Sequence, residues 1–246
     1  MPLSQQGKGV YSPIFLVPKP SRDLRPVLDL RILNHFIEPK TFKMESVFTI
    51  ISVLQPGDWL ISVDLTDAYL HVPINESHQR YLRFLVGEDH FQFRCLPFGI
   101  STAPRVFSKI LLAVIAVIRL KGIKIFHYLD DILVVAHSSG ELASQREMVL
   151  EILSKFGRII NRQKSQLIPS QQMEYLGLFF NTNRDLVLLP ERKKAELVAC
   201  VSSVMKSTSL TARDSMTLLG MFTAASPTIP WARFHTRAFL ATFLNQ

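Results

Sequence analysis

The chain has 246 residues, 48% hydrophobic and 20% charged, an ordinary globular balance that argues against disorder and leaves one large or two small domains open. Twenty-eight basic residues against 20 acidic ones leave +8, which suits a phosphate-rich partner. Cys95 and Cys200 stand far apart and at no metal-ligand spacing from any histidine, so a disulfide scaffold or zinc ribbon does not fit and a reducing compartment does.

Residues 11–34 alternate short apolar pieces with Pro, Lys and Arg and predict a strand pair. Residues 59–65 are a further strand, entered from the turn Pro56-Gly57-Asp58. Residues 81–96 read as two strands around Gly87-Glu88-Asp89-His90, and Pro104 opens a helix to Leu120, buried on most sides. Its longest apolar run, residues 110–118, is well short of the roughly 20 residues a bilayer core requires. With a polar N-terminus that has no signal-peptide pattern, this predicts a soluble intracellular protein without a membrane partner.

Residues 123–135 predict a strand pair whose turn falls at Asp130-Asp131. Ser138 and Glu141 form a capping box for a helix with the apolar face Leu142, Val149, Ile152, Leu153 and Phe156, stopped by Gly157. Short strands follow around Ile168 and over residues 175–180. From Pro190 the pattern is helical only, with starts at Pro190, the Thr211/Asp214 pair and Pro230. Residues 189–246 hold seven basic and three acidic residues, a net +4, and read as a separate helical subdomain. Its cations fit a solvated face and a grip on nucleic acid equally well.

The costly feature is Tyr128-Leu129-Asp130-Asp131, two adjacent carboxylates between apolar strands. Taken alone it is first a solvated acidic turn. Asp64, at the end of the apolar strand 59–63, supplies a third carboxylate that a neighbouring strand could present beside Asp130. Three converging carboxylates make a hard oxygen site suited to two Mg²⁺ ions, although spacing alone does not prove the convergence.

Asp64-Leu65-Thr66-Asp67-Ala68-Tyr69, Leu96-Pro97-Phe98-Gly99-Ile100-Ser101-Thr102-Ala103-Pro104 and Tyr128-Leu129-Asp130-Asp131 resemble motifs A, B and C of reverse transcriptases, in order and at similar spacing. Val17-Pro18-Lys19 and the stretch from Arg25 to Asn34 resemble the fingers strands. Asn161-Arg162-Gln163-Lys164-Ser165 and Glu174-Tyr175-Leu176-Gly177 resemble motifs D and E, and the chain from Leu189 is similar to a thumb. Leu96-Pro97-Phe98-Gly99, the Ser101-x-Ala103-Pro104-Arg105 that follows, and Gln163-Lys164-Ser165-x-Leu167-x-Pro169 look most like DIRS-type retrotransposons, with hepadnaviral and gypsy-type elements as close relatives.

The resemblance implies an α+β right-hand polymerase fold: partial fingers over residues 1–58, a palm with an antiparallel sheet and helices behind it over 59–188, and a helical thumb over 189–246. The palm would carry a finger insertion at about residues 72–96. The implied activity is RNA-directed DNA synthesis on a primer, using dNTPs, an RNA or DNA template and two Mg²⁺ ions, with Mn²⁺ as a substitute. Asp64 and Asp130 would hold both metals, with Asp131 weaker, and Lys164 is either the acid that protonates pyrophosphate or a solvated lysine. Lys19 and Arg25 would clamp the triphosphate and Asp67 and Ala68 would face it with backbone N–H groups. Tyr69 would pack beneath the sugar and exclude a 2′-hydroxyl, unless it is a core tyrosine, and Phe98 and Gly99 would lie beside the nascent base pair.

Asp29, Arg31, Tyr128 and Gly177 map to template and primer positions, where Asp29 and Arg31 either grip template or brace the fingers. His127, Cys95 and the other histidines read as structural. Too little sequence follows the thumb for an RNase H, integrase or recombinase domain, which would belong to a longer retroelement polyprotein or another chain. Localisation would be cytoplasmic, nuclear or both. A catalytically silent nucleic-acid-binding remnant and a structural subunit of a longer polymerase are the rival readings.

Overall fold

The structure, a computed structural model, describes residues 6–19, 23–38, 40–207, 211–229, 231–237 and 241. β1 (Ile14–Pro18) and β2 (Leu24–Leu28) form the antiparallel pair expected from residues 11–34, with Val17 opposite Arg25. The short helix α1 (Arg31–His35) follows, then α2 (Val47–Val53), whose first turn is capped by Ser46 Oγ accepting the Thr49 N–H at 3.3 Å. β3 (Trp59–Asp64) leads into a 3-10 turn (Ala68–His71) and the short helix α3 (Glu76–Gln79). β4 (Arg83–Val86) and β5 (Asp89–Gln92) make the second expected hairpin.

α4 (Ala103–Arg119) starts with Pro104 in its first turn and buries Phe107, Leu111, Val114, Ile115 and Ile118, an i, i+4, i+7 stripe. Each of those side chains contributes about 1.5–3 kcal/mol on burial. α4 packs on β6 (Lys124–Tyr128) and on the 3-10 turn, and Arg119 at its end donates through Nε and Nη2 to the Ile125 carbonyl oxygen at 3.1 and 2.7 Å. β7 (Asp131–Ala136) returns beside β6 after a two-residue turn.

That turn is Leu129-Asp130, one residue earlier than the sequence predicts. Leu129 takes a left-handed φ of 53° as its first residue, which places Asp131 inside β7.

α5 (Ser139–Lys155) is capped by Ser138 Oγ, which accepts the Glu141 N–H at 3.2 Å, and it buries Leu142, Val149, Ile152 and Leu153 as predicted. Phe156 is a correction: it lies beyond the last helical residue, so the helical period no longer sets its direction, and it is 50% exposed. β8 (Gln166–Ser170) completes a four-stranded sheet in the order β6-β7-β3-β8. β9 (Gln172–Tyr175), β10 (Leu178–Asn181) and β11 (Leu186–Leu188) form an antiparallel meander.

α6 (Glu191–Lys206), α7 (Ala212–Ala225) and the short α8 (Ala232–His235) follow, with the Thr211/Asp214 capping box present in both directions. Pro230, expected to open a helix, lies outside the described residues. No described helix is long and apolar enough to cross a membrane.

The chain groups into two compact units. The first comprises Met1–Met44, Val63–Ile132 and Ser144–Leu167. It contains a small core of Leu28, Leu30 and Leu82, with Phe84 and Phe93 packed against it. The second comprises Glu45–Ser62, Leu133–Ala143 and Ile168–Gln246. There the buried Asp58 accepts the Gln55 N–H at 3.0 Å and pairs with His137 Nδ1 at 2.8 Å.

Candidate active site

In the first unit, the ends of β3 and β6 and the turns around them enclose a cavity of about 430 Å³. Its lining holds nine of the sequence candidates: Lys19, Arg25, Asp64, Asp67, Ala68, Tyr69, Phe98, Asp130 and Lys164. Asp67 and Leu129 both take left-handed backbone angles in its wall, at φ 43° and 53°. L-residues adopt that region at a cost of about 1–2 kcal/mol, so two turns of the wall are held by their surroundings.

The three carboxylates feel one another. Burial raises the Asp64 carboxyl above its ordinary value and the Asp130 charge raises it further, while the Lys164 ammonium and a side-chain hydrogen bond from Asn161 oppose the shift. Asp131 is pushed up to about 6, by burial first and then by Asp130 and Asp64, again opposed by Lys164. Such a concentration of partly uncompensated negative charge fits a hard cation. Among the described residues no three His, Cys, Asp or Glu side chains close into a ready-made cage. A few carboxylates of this kind match an ion that keeps water and phosphate oxygens as its remaining ligands.

Positive charge faces the same space. Lys19 Nζ pairs with Asp67 Oδ1 at 2.7 Å. The Arg25 guanidinium lies 4.5 Å above the centre of the Phe98 ring, and its buried Nε has no hydrogen-bond partner. Tyr69 packs against Phe98 and Phe107 with ring centres 5.0 and 5.5 Å apart, forming an aromatic floor. Burial raises the Tyr69 phenol, with the Asp130 charge adding and Arg25 opposing.

Gly99 follows Phe98 at φ 112°, where a Cβ would run into the Leu28 carbonyl oxygen. Only glycine brings the two segments so close. The segment is pinned by Leu28 N–H donating to the Phe98 carbonyl oxygen at 3.1 Å.

The other candidates lie elsewhere or act locally. Asp29 accepts from Arg31 Nε at 2.9 Å and Nη2 at 2.6 Å, which holds its carboxyl below the ordinary range; neither lines the cavity. Tyr128 ends β6, beside the turn that carries Asp130. Gly177 is in the second unit, in the β9–β10 turn, where its carbonyl oxygen accepts from Lys193 Nζ at 3.1 Å.

Sequence reasoning placed three residues inside motif strings without giving them a role. Asn34 donates to the Gly99 carbonyl oxygen and accepts the Ser101 N–H, both at 2.8 Å, clamping the loop after Phe98. Asn161 and Ser165 hold Asp64. No periodicity marks any of the three, because the site residues they hold are distant in sequence; the local signal is the turn in which Asn161 Oδ1 accepts the Lys164 N–H at 3.3 Å and Ser165 Oγ donates to the Asn161 carbonyl oxygen.

A family model, reverse transcriptase (RNA-dependent DNA polymerase), matches residues 17–180. The chain belongs to that family. It is 29% identical over 229 residues to the Gag-Pol polyprotein of Walleye dermal sarcoma virus, an alignment covering 92% of this chain and 13% of the polyprotein. It is 27% identical over 165 residues to the Transposon Tf2-3 polyprotein of Schizosaccharomyces pombe, covering 67% of this chain and 12% of the polyprotein. The chain thus spans only a small part of these curated relatives.

Among solved structures it resembles a foamy viral protease-reverse transcriptase in complex with double-stranded DNA, with a TM-score of 0.80 and 23% identity, covering 98% of this chain and 40% of that one. A second foamy viral protease-reverse transcriptase structure, with an RNA/DNA hybrid, gives 0.74 at 22% identity over 99% of this chain and 32% of that one. The fold is the α+β fold of reverse transcriptases.

Proposed function

We propose that this chain is the polymerase part of a retroelement and transfers deoxynucleotides from dNTPs to a primer 3′-hydroxyl, copying an RNA or DNA template. The carrying observation is one cavity that combines interacting carboxylates, the cationic side chains of Lys19, Arg25 and Lys164, and the packed rings of Tyr69 and Phe98. Asp64 and Asp130, with Asp131 beside them, would hold Mg²⁺ or Mn²⁺. When bound, these ions lower the pKa of the primer hydroxyl and neutralise charge on leaving pyrophosphate.

Lys19 and Arg25, which line the cavity, bind the triphosphate, Arg25 by offering its planar guanidinium to phosphate oxygens. The Asp67–Ala68 backbone supports the phosphates. Tyr69, braced by Phe98 and Phe107, blocks a 2′-hydroxyl, and Phe98 and Gly99 bear on the nascent base pair. Lys164 gives a proton to pyrophosphate. Asp29 and Arg31 brace the fingers as a pair, which their mutual hydrogen bonds support. Tyr128 and Gly177 contact the primer strand.

In this reading residues 1–58 act as fingers, 59–188 as palm and 189–246 as thumb, the last holding duplex through phosphate contacts. The motif strings around Phe98 and Lys164 support a DIRS-type element. The two free cysteines support work inside the cell, in cytoplasm or nucleus. Relatives that are polyproteins support further domains or chains as partners.

Primer extension on matched RNA and DNA templates, with and without Mg²⁺, tests the reading. Metal-dependent extension is expected. Salt-sensitive binding of primer–template without any extension would contradict it and leave a silent binding remnant or a structural subunit.

A further inference from the structure

One hydroxyl joins the end of β3 to the turn at 161–165. Ser165 Oγ accepts the Asp64 backbone N–H at 3.0 Å and donates to the Asn161 carbonyl oxygen at 2.6 Å. The Asn161 N–H in turn donates to the Asp64 carbonyl oxygen at 2.9 Å. These bonds close a ring that holds both backbone polar groups of Asp64.

Just beside it the Thr66 N–H donates to the Ile159 carbonyl oxygen at 2.9 Å, and Leu65 and Ile160 form an antiparallel bridge. The ring therefore sits where backbone pairing breaks off and a side chain takes over. A turn serine ordinarily satisfies its own turn. Ser165 does so through the Asn161 carbonyl oxygen and also reaches a residue 101 positions away, Asp64 at the end of β3. The same turn carries Lys164, whose N–H is held by Asn161 Oδ1, into the cavity that Asp64 lines.

We propose that Ser165 is a positioning residue for nucleotidyl transfer: its hydroxyl fixes the Asp64 backbone, and so the direction of the carboxylate towards Asp130, and ties the place of Lys164 to the same ring. This rests on the polymerase reading above. A hydroxyl that accepts and donates in one chain strengthens both bonds. Supporting partners of this kind typically govern ligand affinity and turnover by about 10–100-fold without touching substrate.

The test compares wild type, Ser165→Ala and Ser165→Thr in two assays: Mn²⁺ binding without nucleotide, and steady-state primer extension. Ser165→Ala should lower kcat about 10–100-fold, leave the KM for dNTP within about twofold, and weaken Mn²⁺ binding by a factor similar to the kcat loss. Ser165→Thr, which keeps the hydroxyl, should restore both.

Wild-type kcat and Mn²⁺ affinity in Ser165→Ala would overturn the proposal and leave an ordinary turn residue. If thermal melts show that Ser165→Ala does not fold, Ser165→Cys serves instead, close in size and a weak donor. Values between alanine-like loss and wild type would support the proposal, and wild-type values would overturn it. A wild-type chain that binds Mn²⁺ but extends no primer fails the polymerase reading alone, and the effect of Ser165→Ala on Mn²⁺ affinity then decides the ring. A wild-type chain that binds no Mn²⁺ overturns both.

Discussion

The β6–β7 hairpin and helix α6 place charge in opposite ways. The hairpin carries Asp130 in its turn and Asp131 as the first residue of β7, on strands that bury Ile125, Phe126, Ile132, Leu133, Val134 and Val135. Its carboxylates disturb one another, Tyr69 and Asp64, and its turn is left-handed at a leucine. In α6 no residue is buried, and its charges pair along the helix, Arg192 with Glu196 at 3.5 Å and Lys194 with Glu191 at 3.6 Å. Charge at the hairpin is costly and each group acts by its position. Charge in these exposed α6 pairs is cheap, screened and shared, so each paired residue contributes little by itself.

That contrast breaks most sharply at the hairpin's partner strand. Asp64→Asn should reduce extension by about 10³-fold or more while primer–template binding persists, as seen by single-turnover incorporation beside a binding titration. Tyr69→Val should lower the preference for dNTP over rNTP by about 10–200-fold, measured as a ratio of kcat/KM values. Gly99→Ala should cost about 3 kcal/mol in a denaturant titration, because the left-handed angle and the Leu28 carbonyl oxygen both oppose a Cβ.

Asp131 gives the pH dependence. Its folded-state pKa of about 6 lies above the ordinary 3.8, so the folded state binds the proton more tightly and stability falls as pH rises across that window. Asp131→Asn should therefore stabilise the metal-free chain at pH 7, in chelator, and lose that advantage at pH 4. With the carboxyl half exposed, screening leaves about 1 kcal/mol, a rise of about 2–4 °C in melting temperature. The smallest effect belongs to α6. Lys194→Ala should weaken primer–template binding equally across sequences and reduce the salt slope by about 1.

The same contrast explains what was legible in the sequence. The hairpin acids were visible because adjacent carboxylates between apolar strands violate local preference. The helix caps at Ser138 and Thr211 were visible because capping is decided within four residues. The turn was displaced by one residue because Leu129 holds a left-handed angle that its side chain does not advertise. The roles of Asn34, Asn161 and Ser165 stayed hidden because each acts on backbone groups of Gly99, Ser101 or Asp64 that only the fold brings close. β11 and the exposed Phe156 depend on tertiary pairing and on where a helix ends, which the apolar pattern around them does not set.

The central claim, that carboxylates meeting at this cavity drive nucleotidyl transfer, is tested most directly by single-nucleotide incorporation on an RNA template across a Mg²⁺ titration. Wild type and Asp130→Asn would be compared at matched primer–template occupancy. The account predicts saturable, Mg²⁺-dependent incorporation by wild type and none above background by the variant. Equal incorporation by both proteins, or none by a folded wild type that binds primer–template, would contradict it.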